Sequence, residues 1–137
     1  MNRHSADLMK LIKVHPPLTW TLTDEDMGAD AIPQAYAQGL PLPIWSGASD
    51  ETIWGEARFN WLFRAFHDSV HIRYGCDFTL EGELKASRIQ AQLARDMGLD
   101  ELAQIMVWET AGQAVYVDKT GQFPPQSFTL ERLKAAL

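Results

Sequence analysis

The chain lacks the features of secreted, membrane and nucleic-acid-binding proteins. Cys76 is the only cysteine, so no intrachain disulfide can form, and this suits a reducing compartment. No apolar run is long enough to span a bilayer, and the first residues lack a basic segment followed by an apolar signal core. The net charge of -6 argues against general nucleic-acid binding, which needs clustered Lys and Arg. We therefore expect a cytoplasmic protein with no membrane partner and no general nucleic-acid binding.

The length and composition indicate one domain, residues 1–137, with an irregular N-terminal part over residues 1–50. With 46% hydrophobic residues, the chain can bury a core. Residues 6–14 have helical spacing, and residues 18–23 alternate apolar and hydroxyl side chains like a short strand. Residues 24–39 predict a short helix with turns, and residues 41–45 an extended segment. A short strand pair is therefore possible here.

Residues 51–137 predict a helical core that carries the motif residues. The first long helix is expected over about 51–73, and the second over about 81–97, with Gly98 as its C-terminal cap. Asp100 is a candidate N-cap for a third helix that frays near 119–121. Thr129 is a candidate cap for a last short helix that reaches Leu137. The sequence thus predicts a mainly α fold with three to four core helices.

Two histidines on the first long helix are the strongest chemical signal. His67 and His71 are four residues apart, so they share one helix face, about one turn from each other. A helix offers two nitrogen ligands to one metal ion at this spacing. Asn60 and Arg64 continue the same polar line along a helix that is otherwise apolar. Buried polar groups must be satisfied, and a metal ion would satisfy both imidazoles.

Two glutamates are candidates to complete a metal site. Glu109 lies on the predicted core-facing side of the third helix, where an unpaired carboxylate needs a cation, a metal or several donors. Glu83, near the start of the second helix, is a further candidate. With His67 and His71 they form a coordination set for a divalent ion, namely zinc, manganese or iron, and the ligands do not decide between these metals.

Three more polar residues are candidates for catalysis. Asp68 follows His67 as the glutamate does in the His-Glu-x-x-His signature, so it is a candidate general base, or a partner that fixes an imidazole tautomer. Arg64 and Gln113 are candidates to orient a substrate, and Arg64 would also suit an anionic group.

Other interpretations of the same residues stay open. Arg64 paired with Glu109, and histidines bonded to Asn60, Gln113 or backbone, would form a buried network with no metal. A di-metal oxidase of ferritin-like type ranks low, because the sequence has no Glu-x-x-His motif.

Several motifs recur in the order seen in an uncharacterised domain of tailed-phage and prophage proteins. The chain resembles that domain from Asn60 to Pro124, through the motifs F-R-A-x-H-D, H, G-E-x-x-A, E-T-x-G-Q and K-x-G-x-x-P. The domain's pattern places the second histidine five residues after the first, whereas the step here is four. The shared polar residues are Asn60, Arg64, His67, Asp68, His71, Glu83, Glu109 and Gln113.

The resemblance implies a metal-binding or enzymatic domain without naming a reaction. Our first hypothesis is a small metal-dependent hydrolase that uses a metal-bound water at a His/His/Glu site, with a small-molecule or phosphoester substrate. The alternative is a non-catalytic phage or prophage accessory protein that binds a host protein in the host cytoplasm and whose polar cluster is structural.

Overall fold

The computed structural model describes the backbone of residues 1–136 and the side chains of residues 1–133, and its fold is mainly α as predicted. Helix α1 (Arg3–Val14) begins three residues earlier than expected, because the Asn2 side chain accepts a hydrogen bond from the Ser5 N–H at 2.8 Å. Its apolar face, with Leu8 and Leu11, is fully buried.

The N-terminal part contains the expected strand pair. Strands β1 (Trp20–Thr23) and β2 (Leu42–Trp45) are parallel, with Trp20 opposite Leu42. Helix α2 (Ala31–Ala37) connects them, and Pro33 lies in its first turn, where a missing N–H is tolerated. Ile32 and Ile44 pack here against Ala65 of the long central helix, so the strand pair is attached to the helical core.

Helix α3 (Ala57–Tyr74) is the central helix, and it begins six residues later than predicted. The expectation of a helix from residue 51 was wrong. Residues 52–55 instead form a tight bridge that Gly55 closes with a φ of 82°, and this turn inserts Trp54, 0% exposed, into the core. Gly75 ends α3 in the left-handed conformation, as expected for a C-terminal cap.

Helices α4 (Leu80–Asp96) and α5 (Asp100–Val107) pack closely against each other across a three-residue connection. The Thr79 hydroxyl caps α4 by accepting from the Gly82 N–H at 3.2 Å. Asp100 is not the N-cap of α5, contrary to the prediction. Leu99 occupies that position without a capping side chain, and Asp100 is the first helical residue.

The predicted third helix is interrupted by one π-helical turn. After α5 the chain forms a π turn (Trp108–Gly112) and then α6 (Gln113–Thr120). The Gln113 N–H donates to the Trp108 carbonyl, five residues back, and this wider turn rotates the chain that follows by about 100°. The helical spacing of the sequence predicted an unbroken helix here, without this turn.

Helix α7 (Phe128–Ala136) closes the fold over the π turn. Thr129 lies inside this helix, completely buried, so its predicted capping role was wrong. The predicted end of this helix, Leu137, lies outside the described residues. Gly112 allows the close approach of α7, since a Cβ there would lie 3.3 Å from the Phe128 ring. Across the part of the chain that the structure describes, no helix is both long and apolar enough to cross a membrane.

Candidate metal centre

Two histidines of α3 meet a glutamate of α4 at one point. His67 Nε2 and His71 Nε2 lie 3.1 Å apart. The Glu83 carboxylate reaches both, with Oε2 at 3.2 Å from His67 Nε2 and Oε1 at 2.9 Å from His71 Nε2. The His71 side chain is fully buried, while His67 and Glu83 are 16% and 19% exposed. Within residues 1–136, these three form a group that could hold a metal ion.

The other nitrogen of each histidine is fixed by an oxygen acceptor. His67 Nδ1 lies 2.6 Å from the side-chain oxygen of Gln90, and His71 Nδ1 lies 3.0 Å from the Cys76 carbonyl oxygen. Carbonyl oxygens only accept hydrogen bonds, so each Nδ1 carries a proton, and Nε2 is the nitrogen of each ring that faces Glu83 and would bind a metal ion. Metal-binding histidines are commonly held in this way, by a second N–H bonded to a carbonyl or carboxylate.

The donor-atom spacing fits a small metal ion. Ligand atoms on a tetrahedral zinc at about 2.0–2.2 Å lie about 3.3–3.6 Å from each other. The two Nε2 atoms are 3.1 Å apart, and each lies 2.9 or 3.2 Å from a different oxygen of Glu83. One ligand atom from each of the three residues lies within 4.8 Å of the other two, so side-chain adjustment would let the group hold an ion. Three protein ligands leave a coordination position open, as catalytic zinc sites do, and two histidines with one carboxylate also suit ferrous iron.

The turn between α3 and α4 positions this group. Gly82 packs directly on the Asp77 carbonyl, and a Cβ at residue 82 would collide with it, so only glycine lets α4 begin this close to the turn. Glu83, the next residue, is thereby brought to the histidines. Phe78 stacks on the His71 ring at 4.0 Å between ring centroids and fixes its plane. The local sequence thus orients both the carboxylate and the buried imidazole.

Without an ion, His67 and Glu83 form a charged pair. Burial alone would lower the pKa of His67, but the hydrogen bond and charge of Glu83 outweigh burial and raise it to about 9. Burial would raise the pKa of Glu83, but hydrogen bonds from His67 and His71 hold it at about 2. Metal binding therefore has to displace a proton from this pair.

Arg64 and Asn60, the other members of the polar line on α3, hold a loop instead of joining the histidines. Arg64 Nη1 donates to the carbonyl oxygens of Trp45 and Gly47, both at 2.6 Å. Asn60 donates to Ser49 Oγ at 2.9 Å. Burial lowers the pKa of Arg64. Arg64 does not form the pair with Glu109 that the buried-network interpretation included, since backbone carbonyls take its Nη1 donors.

Glu109 lies on the π turn, outside the group formed by His67, His71 and Glu83. Its Oε2 accepts from Gln113 Nε2 at 3.0 Å. Among residues 1–133, its buried Oε1 and the nearby Thr129 hydroxyl have no partner at hydrogen-bond distance and angle. Burial raises the pKa of Glu109 to about 7, against the opposing effect of Thr129 and Gln113. The structure therefore places Glu83, and not Glu109, beside the two histidines.

An open cleft of about 750 Å³ is lined by every predicted metal-binding or catalytic residue except His71. Asp68 lines it beside His67, and burial raises the pKa of Asp68 to about 6. Its volume is in the range of small-molecule sites. All of the following predicted residues line it: Arg64, His67, Asp68, Glu83, Glu109 and Gln113. His71 lies beneath this surface, fully buried.

Gln90 was not among the predicted site residues, but it is completely buried and connects His67 to the π turn. Its Nε2 donates to Thr110 Oγ1 at 2.9 Å, while its oxygen faces His67. Gln90 lies seven residues after Glu83, so both occupy one face of α4. A lone amide on the apolar side of that helix was the signal that could have identified it.

No protein-family model matches the chain, and no curated protein sequence or solved structure matches it either. The function therefore has to be argued from the geometry of the cleft and of the His67/His71/Glu83 group.

Proposed function

We propose that the protein is a small metal-dependent hydrolase whose ion is held by His67, His71 and Glu83. The observation that carries the proposal is the convergence of two Nε2 atoms and one carboxylate within about 3 Å, with both Nδ1 atoms held by oxygen acceptors. Zinc, manganese and iron all suit this donor set.

The cleft supplies what hydrolysis needs besides the ion. A divalent ion at this position would polarise a substrate carbonyl or phosphoryl group and activate water. Asp68 and Glu109 line the same cleft, and a carboxyl group with a pKa near 6 or 7 suits proton transfer at neutral pH. Gln113 orients Glu109 through its 3.0 Å hydrogen bond. We assign proton transfer to these two carboxyl groups.

A second candidate is a non-catalytic protein in which the same cluster only stabilises the fold. The separations of 2.9 and 3.2 Å between Glu83 and the histidines are also ordinary hydrogen-bond lengths, so the ion pair is complete without a metal. In this case the protein would act by binding a host protein, as an accessory protein of a phage or prophage would. The likeness to the tailed-phage domain stays a prediction, and so does a host partner.

Metal-dependent turnover separates the two candidates. The protein is treated with a chelator, reloaded with zinc, manganese or ferrous iron, and assayed against amide, carboxylic-ester and phosphoester substrates. We expect hydrolysis only after reloading. Glu83→Gln keeps the side-chain size but removes the anionic ligand, so it should abolish both metal retention and turnover while helical circular dichroism is unchanged.

Glu81→Gln is the matched control. Glu81 is exposed in the same first turn of α4 and lies outside the cleft, so this variant should behave like the wild type. Turnover that survives chelation, or that is equal in wild type and Glu83→Gln, would contradict the proposal. Absence of turnover on all substrates, with no metal retained, would favour the structural candidate.

A further inference from the structure

The cleft above His67 is much larger than a metal ion needs, and its walls are mostly apolar. The apolar lining includes Ile32, Ile44, Phe63 and Phe78. At its edge, Met27 is 57% exposed and Phe123 is 81% exposed, and they belong to two different loops. Exposed apolar side chains at the edge of a pocket favour a ligand that has an apolar body of its own.

The charges of the cleft are predominantly negative. Among the side chains that the structure describes, Arg64 is the only lysine or arginine that lines the cleft, and the lining carboxylates are Asp26, Asp68, Glu83, Glu109 and Asp118. At pH 8, where all five carboxyl groups are mostly ionised, a bound divalent ion and the Arg64 charge would cancel only three of the five negative charges. Without the ion, Arg64 and the protonated His67 would cancel two. The net charge of -6 on the whole chain adds to the same field.

Arg64, the one lysine or arginine that lines the cleft among residues 1–133, is already engaged. Its Nη1 donates to two backbone carbonyls at 2.6 Å, and its Nη2 lies 3.4 Å from a third, that of Ala48. Three of its five N–H donors are therefore used by the loop, which leaves it fewer donors for an anionic substrate. Glu109 also lines the cleft, and among the described residues its carboxylate accepts only one hydrogen bond at normal distance and angle, from Gln113. A largely buried carboxylate with so few donors is stabilised by a cation nearby.

We propose that the cleft binds a substrate with an apolar body and a positively charged amine, the amine lying beside the Glu109 carboxylate, and that it rejects phosphoesters. This inference rests on the proposed hydrolase function, since it names the substrate class of the same cleft. The scissile group would face His67, and the amine would lie beside Glu109. The apolar body would lie against the apolar lining of the cleft and the exposed side chains of Met27 and Phe123 at its edge.

Binding of four small aromatic probes tests the inference without any turnover. The probes are 2-phenylethylamine, 2-phenylethanol, 3-phenylpropionate and phenyl phosphate, measured by titration calorimetry and ligand-observed NMR on chelator-treated protein. Measurements are made at pH 8, where a carboxyl group with a pKa of about 7 is mostly ionised. We expect the amine to bind about five- to tenfold more tightly than the alcohol, and both anions to bind more weakly than the alcohol.

Glu109→Gln should remove the advantage of the amine over the alcohol and leave alcohol binding unchanged. Glu81→Gln, an exposed substitution outside the cleft, should keep the advantage. Equal binding of amine and alcohol by the wild type, tighter binding of phenyl phosphate, or no binding of any probe at millimolar concentration would overturn the inference. Because these experiments use metal-free protein, failure of the metal site alone would leave the amine preference intact, and the two failures are distinguishable.

Discussion

Replacing Gln90 with leucine should weaken metal binding although Gln90 itself is not a ligand. Its side-chain oxygen lies 2.6 Å from His67 Nδ1, completely buried. In Gln90→Leu the Nδ1 proton loses its acceptor, and an unsatisfied buried donor costs about 1–3 kcal/mol. The neutral ring can avoid this cost by rotating or by moving the proton to Nε2, and both changes remove the Nε2 lone pair that would bind the metal ion.

The expected loss is about ten- to a hundredfold in metal affinity, which is the usual effect of removing such a supporting partner. This corresponds to about 1.4–2.7 kcal/mol. Metal affinity is measured by competition with a chromophoric chelator at fixed pH. The tautomer of His67 is followed by ¹⁵N NMR of the imidazole, which should show Nδ1–H in the metal-free, neutral ring of the wild type and a mixture in the variant.

Ser69→Ala is the control, because Ser69 is also buried and also lies on α3 but has no contact with the metal group. Its hydroxyl accepts from the Leu18 N–H at 2.9 Å and donates to the Ala65 carbonyl at 2.7 Å. Its loss should lower the free energy of unfolding by about 1 kcal/mol and leave metal affinity within about twofold of wild type. A folded Gln90→Leu protein with wild-type metal affinity and an unchanged tautomer would refute the reasoning.

Three further outcomes follow from the charges in and around the cleft. The raised pKa of His67 makes its contribution to stability complete below pH 6.5, and this contribution is lost as the pH rises through about 9. Urea unfolding of chelator-treated protein should therefore show a loss of at most about 3 kcal/mol between pH 7 and 9.5, which an unchanged free energy would contradict. Glu109 also has a raised pKa, so its ionisation costs more in the folded than in the unfolded protein, and stability falls as the pH rises from 4.5 to about 7. Glu109→Gln should therefore raise the free energy of unfolding at pH 8 by about 3 kcal/mol at most. Equal urea midpoints for the two proteins would contradict this. Arg64→Met removes the donors that hold the Trp45 and Gly47 carbonyls, so amide hydrogen exchange should increase over residues 45–49. Metal affinity should change less than about threefold. A loss of metal binding would instead show that Arg64 supports the ion site.

The helical core could be predicted from periodicity, but its irregular turns could not. The prediction of a mainly α fold with a short strand pair is confirmed, and the ends of α4 differ from the prediction by one residue. The start of α3 was wrong because Trp54 is held in the core by a turn, which a helical pattern does not reveal. Tertiary burial of a single large side chain outweighed local propensity there.

The candidate site was predictable to the extent that it lies on one helix. Helical spacing placed His67 and His71 on one face, and the structure brings their Nε2 atoms to 3.1 Å. The partner from another helix was harder to rank, because one sequence does not give the rotation of α4 against α3. Both glutamates were candidates, and the close packing at Gly82, a tertiary contact, is what brings Glu83 to the histidines.

Because of the π turn, helical periodicity could not predict the orientation of Glu109 and of the residues after it. The π turn contains one extra residue, so every later residue is rotated about the helix axis relative to an unbroken helix. Gln113 and Val117 therefore line the cleft, although helical spacing counted from α5 would place them on another face. No residue pattern in the sequence indicated the extra residue of this π turn. π turns are frequent at functional sites, and this one carries both Glu109 and the Thr110 hydroxyl that supports Gln90.

The most direct test of the central claim is the metal content and coordination of the purified protein after chelation and reloading. We predict about one zinc, manganese or iron per chain, with X-ray absorption showing two imidazole nitrogens and carboxylate oxygen at about 2.0–2.2 Å, a raised melting temperature, and loss of the ion in Glu83→Gln. No retained ion and no change in melting temperature with any of the three metals would contradict the claim, and so would retention by Glu83→Gln equal to that of the wild type.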